Sequence, residues 1–194
     1  MEKPVHAQLT GERLVDTDEA DLIRMAQEHP SAFASLYQRY LPRVYNYVRA
    51  RLESDEDAAD LTQQIFLQAL DALPAYQLRG TPFAAWLFQI ARNAVTDLYR
   101  RRKTIVSWDS LHGMVLALPE QQDMDARLVH QERLARLKTL LARLNPAQRE
   151  LLALRFAAGL SARQIALVVG KSPAAVKKQL TRLLHTLKEQ YREQ

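Results

Sequence analysis

The amino-acid sequence predicts an all-α protein built from two small helical domains that are joined by a flexible linker. Apolar residues recur at helical spacing through most of the 194 residues, while alternating, strand-like runs are scarce. Capping residues, often followed by proline, precede several of these stretches, and the chain has five glycines. The helical pattern is lost over residues 104–122, which mix polar residues, glycine and proline with scattered apolar side chains. We expect the linker there.

The N-terminal domain follows a segment without periodicity. Residues 1–17 are predicted to be a disordered extension. A first helix is expected over residues 18–28, because the His-Pro pair that follows ends it. A second helix is expected over residues 31–52. It contains Pro42, which should kink it because proline removes one backbone hydrogen bond.

Two further helices complete this domain, which is predicted to span residues 18–103. Ser54 is expected to cap the third helix, and the acidic residues after it favour the positive end of the helix dipole. The helix should end before a loop at residues 74–82. A fourth helix follows this loop and lasts to about Lys103.

The second domain, predicted over residues 123–194, contains a helix-turn-helix. One helix is expected over residues 123–144, and three short helices follow it. Their start signals are Asn145-Pro146, the capping box of Ser161 with Gln164, and Ser172-Pro173, and the stop signals are Gly159 and Gly170. Small Ala166, turn-forming Gly170 and β-branched Val176 then fall where two helices must cross closely around a tight turn.

The last helix of this motif has an apolar stripe and a basic face. The residues predicted to be buried are Val176, Leu180, Leu183, Leu184 and Leu187. The opposite face carries Ala174, Ala175, Lys177, Lys178, Thr181 and Arg182. Arg163 on the preceding helix and Arg149 are candidate phosphate contacts. Lysine and arginine can meet guanine edges or phosphates in a major groove, and an alanine methyl can contact thymine. A solvated basic helix is the alternative.

The fourth helix and the loop before it carry side chains suited to single-stranded nucleic acid. The helix presents Arg92, Asn93, Thr96, Tyr99, Arg100 and Lys103 on one side, with Asp97 placed to pair with Arg100 or Arg101. The loop holds Tyr76, Gln77, Arg79 and Thr81, which either contact an extruded base or serve as ordinary turn residues. Trp86 falls on the apolar stripe and is expected in the core.

The third helix has a polar side with a leucine in it. This side carries Asp60, Gln63, Gln64, Leu67 and Asp71, opposite the predicted core residues Ala58, Leu61, Ile65, Ala69 and Leu73. An exposed leucine among acids and amides fits docking to a basic protein partner. It equally fits the isolated apolar residues that are common on protein surfaces.

Composition and motifs argue against an enzyme. The chain has no cysteine, which excludes disulfides, thiolate nucleophiles and cysteine-based zinc sites. Its five histidines are dispersed, and phosphate-loop, nucleophile-elbow and dinucleotide-binding motifs are missing. We expect no catalytic residues, no cofactor and no metal. No apolar run approaches the roughly 20 residues that span a bilayer, and the N-terminus lacks a signal-peptide core, so a cytoplasmic location is expected.

Taken together, four stretches resemble bacterial extracytoplasmic-function (ECF, group 4) RNA polymerase sigma factors of the sigma-70 family. They are AFASLYQRYLPRVYNYV (32–48), DEDAADLTQQIFLQAL (55–70), GTPFAAWLFQIARNAVTDLYRRRK (80–103) and LNPAQRELLALRFAAGLSARQIALVVGKSPAAVKKQL (144–180). Their order is more specific than any single motif. The resemblance implies a factor that binds core RNA polymerase and directs promoter-specific transcription initiation.

The resemblance also assigns roles to the surfaces described above. The first domain (sigma region 2) would dock on the β′ clamp of core polymerase through Asp60, Gln63, Gln64, Phe66 and Leu67. It would recognise and open the −10 element with Tyr76, Arg79, Arg92, Asn93, Arg100, Arg101, Arg102 and Lys103. The second domain (sigma region 4) would touch the β flap and read the −35 element with Arg163, Ser172, Ala174, Ala175, Lys177, Lys178, Thr181 and Arg182. An anti-sigma factor is a further implied partner.

Two other functions remain open at this point. The chain could be a self-sufficient helix-turn-helix repressor or activator whose residues 18–103 dimerise or bind an effector. It could instead be a protein-interaction module, such as a polymerase-binding inhibitor that never reads DNA. The segregated acidic and basic faces argue against a symmetric dimer. Since an extended linker of this length reaches roughly 60 Å, two tethered domains can contact DNA sites roughly 1.5 to 2 helical turns apart.

Overall fold

The computed structural model describes residues 18–102 and 135–192, and these residues form helices joined by short turns. The helices are α1 (Glu19–Glu28), α2 (Phe33–Arg49), α3 (Asp55–Ala72), α4 (Phe83–Arg102), α5 (135–142), α6 (Pro146–Leu152), α7 (Ala162–Val169) and α8 (Pro173–Arg192). Within the described ranges there is no strand, so the predicted all-α class is confirmed. The N-terminal extension, the linker and the predicted start of α5 lie outside the described residues.

The first domain consists of α1 to α4, with α2 packed on α3 and α3 on α4. The Ser54 side chain caps α3 by accepting a hydrogen bond from the Asp57 N–H, as predicted. A single 3-10 turn over Pro30–Ala32 precedes α2, so this helix begins slightly later than the expected position 31. Pro42 lies inside α2, and the helix continues across it. The bend there stays a prediction.

An aromatic cluster fills the core of this domain. Tyr40 and Phe83 meet edge to face at 5.2 Å between ring centroids, and Tyr47 meets Phe88 in the same way at 5.6 Å. Such offset and edge-on pairs add to the stabilisation from area burial, because the ring edge is positive and the ring face negative. Burial, reinforced by the Glu19 carboxylate that accepts its hydroxyl hydrogen bond, raises the pKa of Tyr40. The first domain therefore has a closely packed aromatic core behind its polar faces.

The second domain confirms the predicted caps of the helix-turn-helix. Asn145 with Gln148 and Ser161 with Gln164 each form a reciprocal capping box, at the starts of α6 and α7. A π-helical turn over Ala153–Ala157 extends α6. Gly170 ends α7 with left-handed dihedrals (φ 68°, ψ 38°), which turns the chain into α8.

The buried stripe of α8 is narrower than predicted. Val176, Leu180 and Leu183 are buried, and Leu187 is half-buried. The prediction that Leu184 is buried is wrong, since its side chain is 42% exposed. The cause is geometric: α8 packs on α6 and α7, and Leu184 lies beside the line of contact with these short helices.

Replacing Gly170 by alanine is expected to destabilise the protein through the backbone alone. A Cβ atom at this position would meet nothing within 4 Å, so no side chain has to move. The left-handed conformation itself costs an L-residue about 1–2 kcal/mol. Gly170→Asn should cost less, because asparagine tolerates this conformation better. Urea unfolding of the three proteins checks the order; an alanine variant as stable as the wild type would contradict it.

The two domains are in contact in this structure. The helix α7 packs on α4, the π-helical turn packs on α2, and the buried side chains of both domains form one continuous cluster. The sequence predicts two tethered domains but contains no local signal for this arrangement. The basic face of α8 is not involved, since Lys178 and Arg182 remain exposed.

Candidate functional site

The basic face of α8 points away from the rest of the protein. Of its predicted DNA-contacting residues, Ser172, Ala174, Lys177, Lys178, Thr181 and Arg182 are exposed and Ala175 is half-buried. The Ser172 hydroxyl accepts a hydrogen bond from the Ala175 N–H at 3.2 Å, which caps the helix and holds its first turn in place. Because Val176, Leu180 and Leu183 bury the opposite side, the orientation of the basic face is fixed by packing.

Two arginines near the helix-turn-helix have different surroundings. Arg163 is exposed on the first turn of α7, where a phosphate could approach it. Arg149, a second candidate phosphate contact by sequence, instead donates to the Leu144 carbonyl at 2.7 Å and the Ala142 carbonyl at 2.9 Å. The Ala142 carbonyl lies at the C-terminal end of α5 and the Leu144 carbonyl in the turn after it, so Arg149 links this end of α5 to α6.

The loop before α4 separates its predicted residues into a buried and an exposed set. Tyr76 is 9% exposed, its ring lies 5.6 Å from that of Phe83 and 5.0 Å from that of Trp86, and its hydroxyl donates to the Thr81 carbonyl at 2.8 Å. Tyr76 therefore closes the loop onto the core, as an ordinary turn residue would, and its contact with an extruded base stays a prediction. Arg79 is exposed at the loop tip.

The polar face of α4 also contains both exposed and half-buried residues. Asn93, Arg100 and Arg101 are exposed, and Asp97 pairs with Arg100 at 3.6 Å, as predicted. The Arg102 side chain and all of Lys103 lie outside the described residues. Arg92 is half-buried at the contact between the domains.

An apolar groove lies beside the exposed leucine of α3. It has a volume of about 270 Å³ and is lined by Phe33, Tyr37, Gln63, Phe66, Leu67 and Leu70. Leu67 is 63% exposed, and Asp60, Gln63 and Gln64 are exposed along the same helix. Phe66, placed in the docking set by the resemblance, is buried with its ring 4.6 Å from Tyr37, so it forms a wall of the groove rather than a projecting contact.

The contact between the domains contains polar residues that the sequence analysis missed. Glu150 of α6 is 9% exposed and accepts a hydrogen bond from the Tyr47 hydroxyl at 2.8 Å. Its other oxygen forms an ion pair with Arg51, and Arg92 Nε lies 3.9 Å from Glu150 Oε1. The available signal was a glutamate on the buried face of an apolar helix, since Glu150 precedes buried Leu151, Ala153 and Leu154.

The buried environment of Tyr47 predicts that the protein loses stability at alkaline pH. Burial, followed by the nearby Glu150 carboxylate, raises the pKa of Tyr47 well above its ordinary value of 10.0. Neutral Tyr47 therefore makes its full contribution to the free energy of unfolding below pH 10. This contribution is lost as the pH rises further, because the tyrosine hydroxyl loses its proton in the unfolded chain before it does so in the folded protein. Above about pH 10 the free energy of unfolding should fall less steeply for Tyr47→Phe, by up to about 1.4 kcal/mol per pH unit. Urea titrations from neutral to alkaline pH measure both slopes; equal slopes would contradict the assignment.

No group of three or more histidine, aspartate or glutamate side chains in residues 18–102 or 135–192 could hold a metal ion. In the same ranges, no helix has the length and apolarity that crossing a membrane requires.

The chain is similar to known proteins in both domains. Residues 36–105 match the family model for Sigma-70 region 2, and residues 134–187 match that for Sigma-70, region 4. The chain is 35% identical to the ECF RNA polymerase sigma factor BldN of Streptomyces coelicolor over 89% of its own length and 66% of that relative's. It is 33% identical to the ECF RNA polymerase sigma factor SigD of Mycobacterium tuberculosis, over 82% of this chain and 77% of SigD.

Two solved structures share the fold. One is CnrH in complex with the cytosolic domain of CnrY, with a TM-score of 0.63, 28% identity and coverage of 87% of this chain and 94% of that one. CnrH of Cupriavidus metallidurans is an RNA polymerase sigma factor. The other is the sigma factor RpoE of Bartonella quintana in complex with the anti-sigma factor NepR, with a TM-score of 0.62, 24% identity and coverage of 82% and 96%.

Proposed function

The chain belongs to the extracytoplasmic-function RNA polymerase sigma factors, and from this premise we propose how its residues divide the work of initiation. It binds core RNA polymerase and directs promoter-specific transcription initiation. One observation supports this assignment of residues to DNA contacts: the basic face of α8 points outward from the capped helix-turn-helix. This face is therefore accessible to DNA.

The second domain reads the −35 element with α8 in the major groove. In a helix-turn-helix the first residues of the recognition helix meet base edges, which here are Ala174, Lys177 and Lys178. Arg182, one turn further along, and Arg163 on α7 are placed for phosphates. The same domain touches the β flap of polymerase.

The first domain opens the −10 element. Extruding a base costs a few kcal/mol of unstacking, so the opened strand must gain contacts that offset this cost. Exposed Arg79 in the loop and Asn93 with Arg100 on α4 supply a cationic and hydrogen-bonding track for that strand. From the sequence resemblance, the track also includes Arg92, Arg101, Arg102 and Lys103. Tyr76 contributes by holding the loop against Trp86.

The exposed side of α3 docks on the β′ clamp. The groove beside Leu67 accepts an apolar side chain of the partner, and Asp60 pairs with a partner cation at its edge. A central apolar anchor surrounded by charged contacts is the usual plan of a protein interface.

Further features of the proposal follow from this role. Polymerase performs the chemistry, so the chain needs no catalytic residue, cofactor or metal of its own. It acts in the cytoplasm, where polymerase transcribes the chromosome. An anti-sigma factor is a partner, by analogy with the RpoE structure, which contains one.

Run-off transcription tests the proposal. The purified chain is mixed with sigma-free core RNA polymerase and a library of genomic promoter fragments. Transcripts of defined length that need both components are expected. DNA binding by a symmetric dimer without polymerase would instead support a repressor, and transcription blocked by the chain would indicate a polymerase inhibitor.

A further inference from the structure

A side chain from α1 holds the base of the loop before α4. Gln27 is half-buried, and its Nε2 donates to the Leu73 carbonyl at 3.0 Å and to the Tyr76 carbonyl at 2.8 Å. The two acceptors lie 46 and 49 positions from Gln27 along the chain, so both bonds are tertiary contacts. One amide thus fixes both ends of the 3-10 turn Leu73–Ala75, which leads from α3 into the loop.

The chemistry of a primary amide suits this position. Its nitrogen has two N–H groups, so a single Gln27 side chain can donate to both carbonyls at once. The Leu73 carbonyl also accepts the Tyr76 N–H at 3.0 Å, which closes the turn on itself. A buried carbonyl that loses its donor raises the free energy of the folded state. A side chain of the same length without an N–H group therefore cannot replace Gln27.

The rest of the loop is closed by a contact within the loop itself. The Tyr76 hydroxyl donates to the Thr81 carbonyl at 2.8 Å, which brings the two sides of the loop together. This bond shapes the loop, whereas the bonds from Gln27 tie it to another helix. Arg79 is exposed between these two sides, so the backbone beneath it decides where its guanidinium can reach.

We propose that Gln27 is a positioning residue for promoter opening: by holding the base of the loop against α1, it fixes where Arg79 meets the opened −10 strand. This inference rests on the proposed function, specifically on the contact between Arg79 and that strand. Gln27 touches no DNA itself and acts only through the loop. A loop that is already fixed in place loses less conformational entropy when the strand binds, so more of the contact energy is available to offset unstacking.

The fluorescence of Trp86 reports whether Gln27 holds the loop in the full chain. The Tyr76 ring lies 5.0 Å from the Trp86 ring, so release of the loop should expose the indole to solvent. The chain has two tryptophans, and Trp108→Phe leaves Trp86 as the single emitter. In this background Gln27→Met keeps the side-chain length and removes the N–H donors. It should raise the acrylamide quenching constant of Trp86.

The rate of promoter opening measures the consequence for initiation. Permanganate reactivity of −10 thymines is followed over time with core polymerase saturated by the chain, so that polymerase affinity does not affect the rate. Gln27→Met should slow opening about fivefold, the size of effect expected from losing one hydrogen bond that fixes the loop. Gln38→Met makes the same substitution at an exposed position on α2 and should open DNA like the wild type. Competition titrations should give Gln27→Met the wild-type affinity for core polymerase.

A double-mutant cycle with Arg79→Ala separates positioning from a general structural role. If Gln27 acts through Arg79, the arginine variant already lacks the group that is positioned, so adding Gln27→Met should slow opening little further. Independent effects would multiply instead. Gln27→Glu is the second variant, because it keeps the side-chain shape and its carboxylate cannot donate. It should reproduce the results of Gln27→Met, and it tests the proposal on its own where the methionine variant fails to fold.

The anchor and the proposed function can fail separately. Unchanged Trp86 quenching in the Gln27 variants would overturn the anchor, and so would a matching fall in polymerase affinity or effects that multiply with those of Arg79→Ala. A wild-type chain that opens no promoter fragment with polymerase would overturn the proposed function and the role of Gln27 with it. Equal opening rates for the wild type and the Gln27 variants would overturn only the role of Gln27.

Discussion

Replacing Lys178 and Arg182 together by glutamate is expected to lower promoter-dependent run-off transcription at least about 30-fold, since each well-placed base or phosphate contact contributes about 1–3 kcal/mol. The two residues lie four apart on α8, so their side chains project from one face of the helix. Both are exposed, and reversing their charge converts attraction to the DNA backbone into repulsion. Run-off assays at fixed salt measure the loss.

The same helix supplies a matched control. Lys188→Glu with Arg192→Glu makes an identical change in charge, at the same spacing, near the far end of α8. This pair should leave transcription within a few-fold of the wild type. Urea unfolding should give similar midpoints for both double variants, because all four positions are at the surface. Equal losses in the two variants would show that net charge, rather than the reading face, controls activity.

Combining Asp60→Lys with Leu67→Ala is expected to lower the affinity for core polymerase by at least about 30-fold. This factor corresponds to about 2 kcal/mol of binding free energy, which is the loss expected from removing one interface hot spot. The two positions are seven residues apart and therefore share one face of α3. Leu67 borders the groove, and Asp60 is exposed on the same side. Competition against labelled wild-type chain for core enzyme measures the affinity.

A control of the same composition is available on α1. Glu28→Lys with Met25→Ala also reverses one acid and truncates one exposed apolar side chain, and Met25 is 50% exposed. It should bind core polymerase like the wild type. Unchanged affinity of the α3 variant would remove Asp60 and Leu67 from the docking surface and leave the groove without an assigned partner.

Local signals predicted most of the secondary structure. The helix caps at Ser54, Asn145 and Ser161 and the left-handed Gly170 depend on residues within one turn, so the sequence contains everything that determines them. The exposed face of α8 followed from the same kind of information, because its opposite stripe has helical periodicity.

Contacts between distant residues explain what the sequence did not reveal. The sequence left Tyr76 as either a base contact or an ordinary turn residue. In the structure it packs on Trp86, and Gln27 of α1 donates to its carbonyl at 2.8 Å. Glu150 lies about 100 positions from Tyr47 and Arg51, so no helical pattern links them. Such pairings are set by how the helices pack, which periodicity alone does not specify.

Chemical probing of the assembled promoter complex tests the central claim most directly. The chain, core polymerase and a promoter fragment are combined, backbone protection is mapped with hydroxyl radicals, and unpaired thymines are detected with permanganate. We predict a protected upstream segment that lies roughly 1.5 to 2 helical turns from a permanganate-reactive segment, with both requiring the chain and polymerase together. A symmetric footprint formed by the chain alone, with no reactive thymines when polymerase is added, would contradict the account.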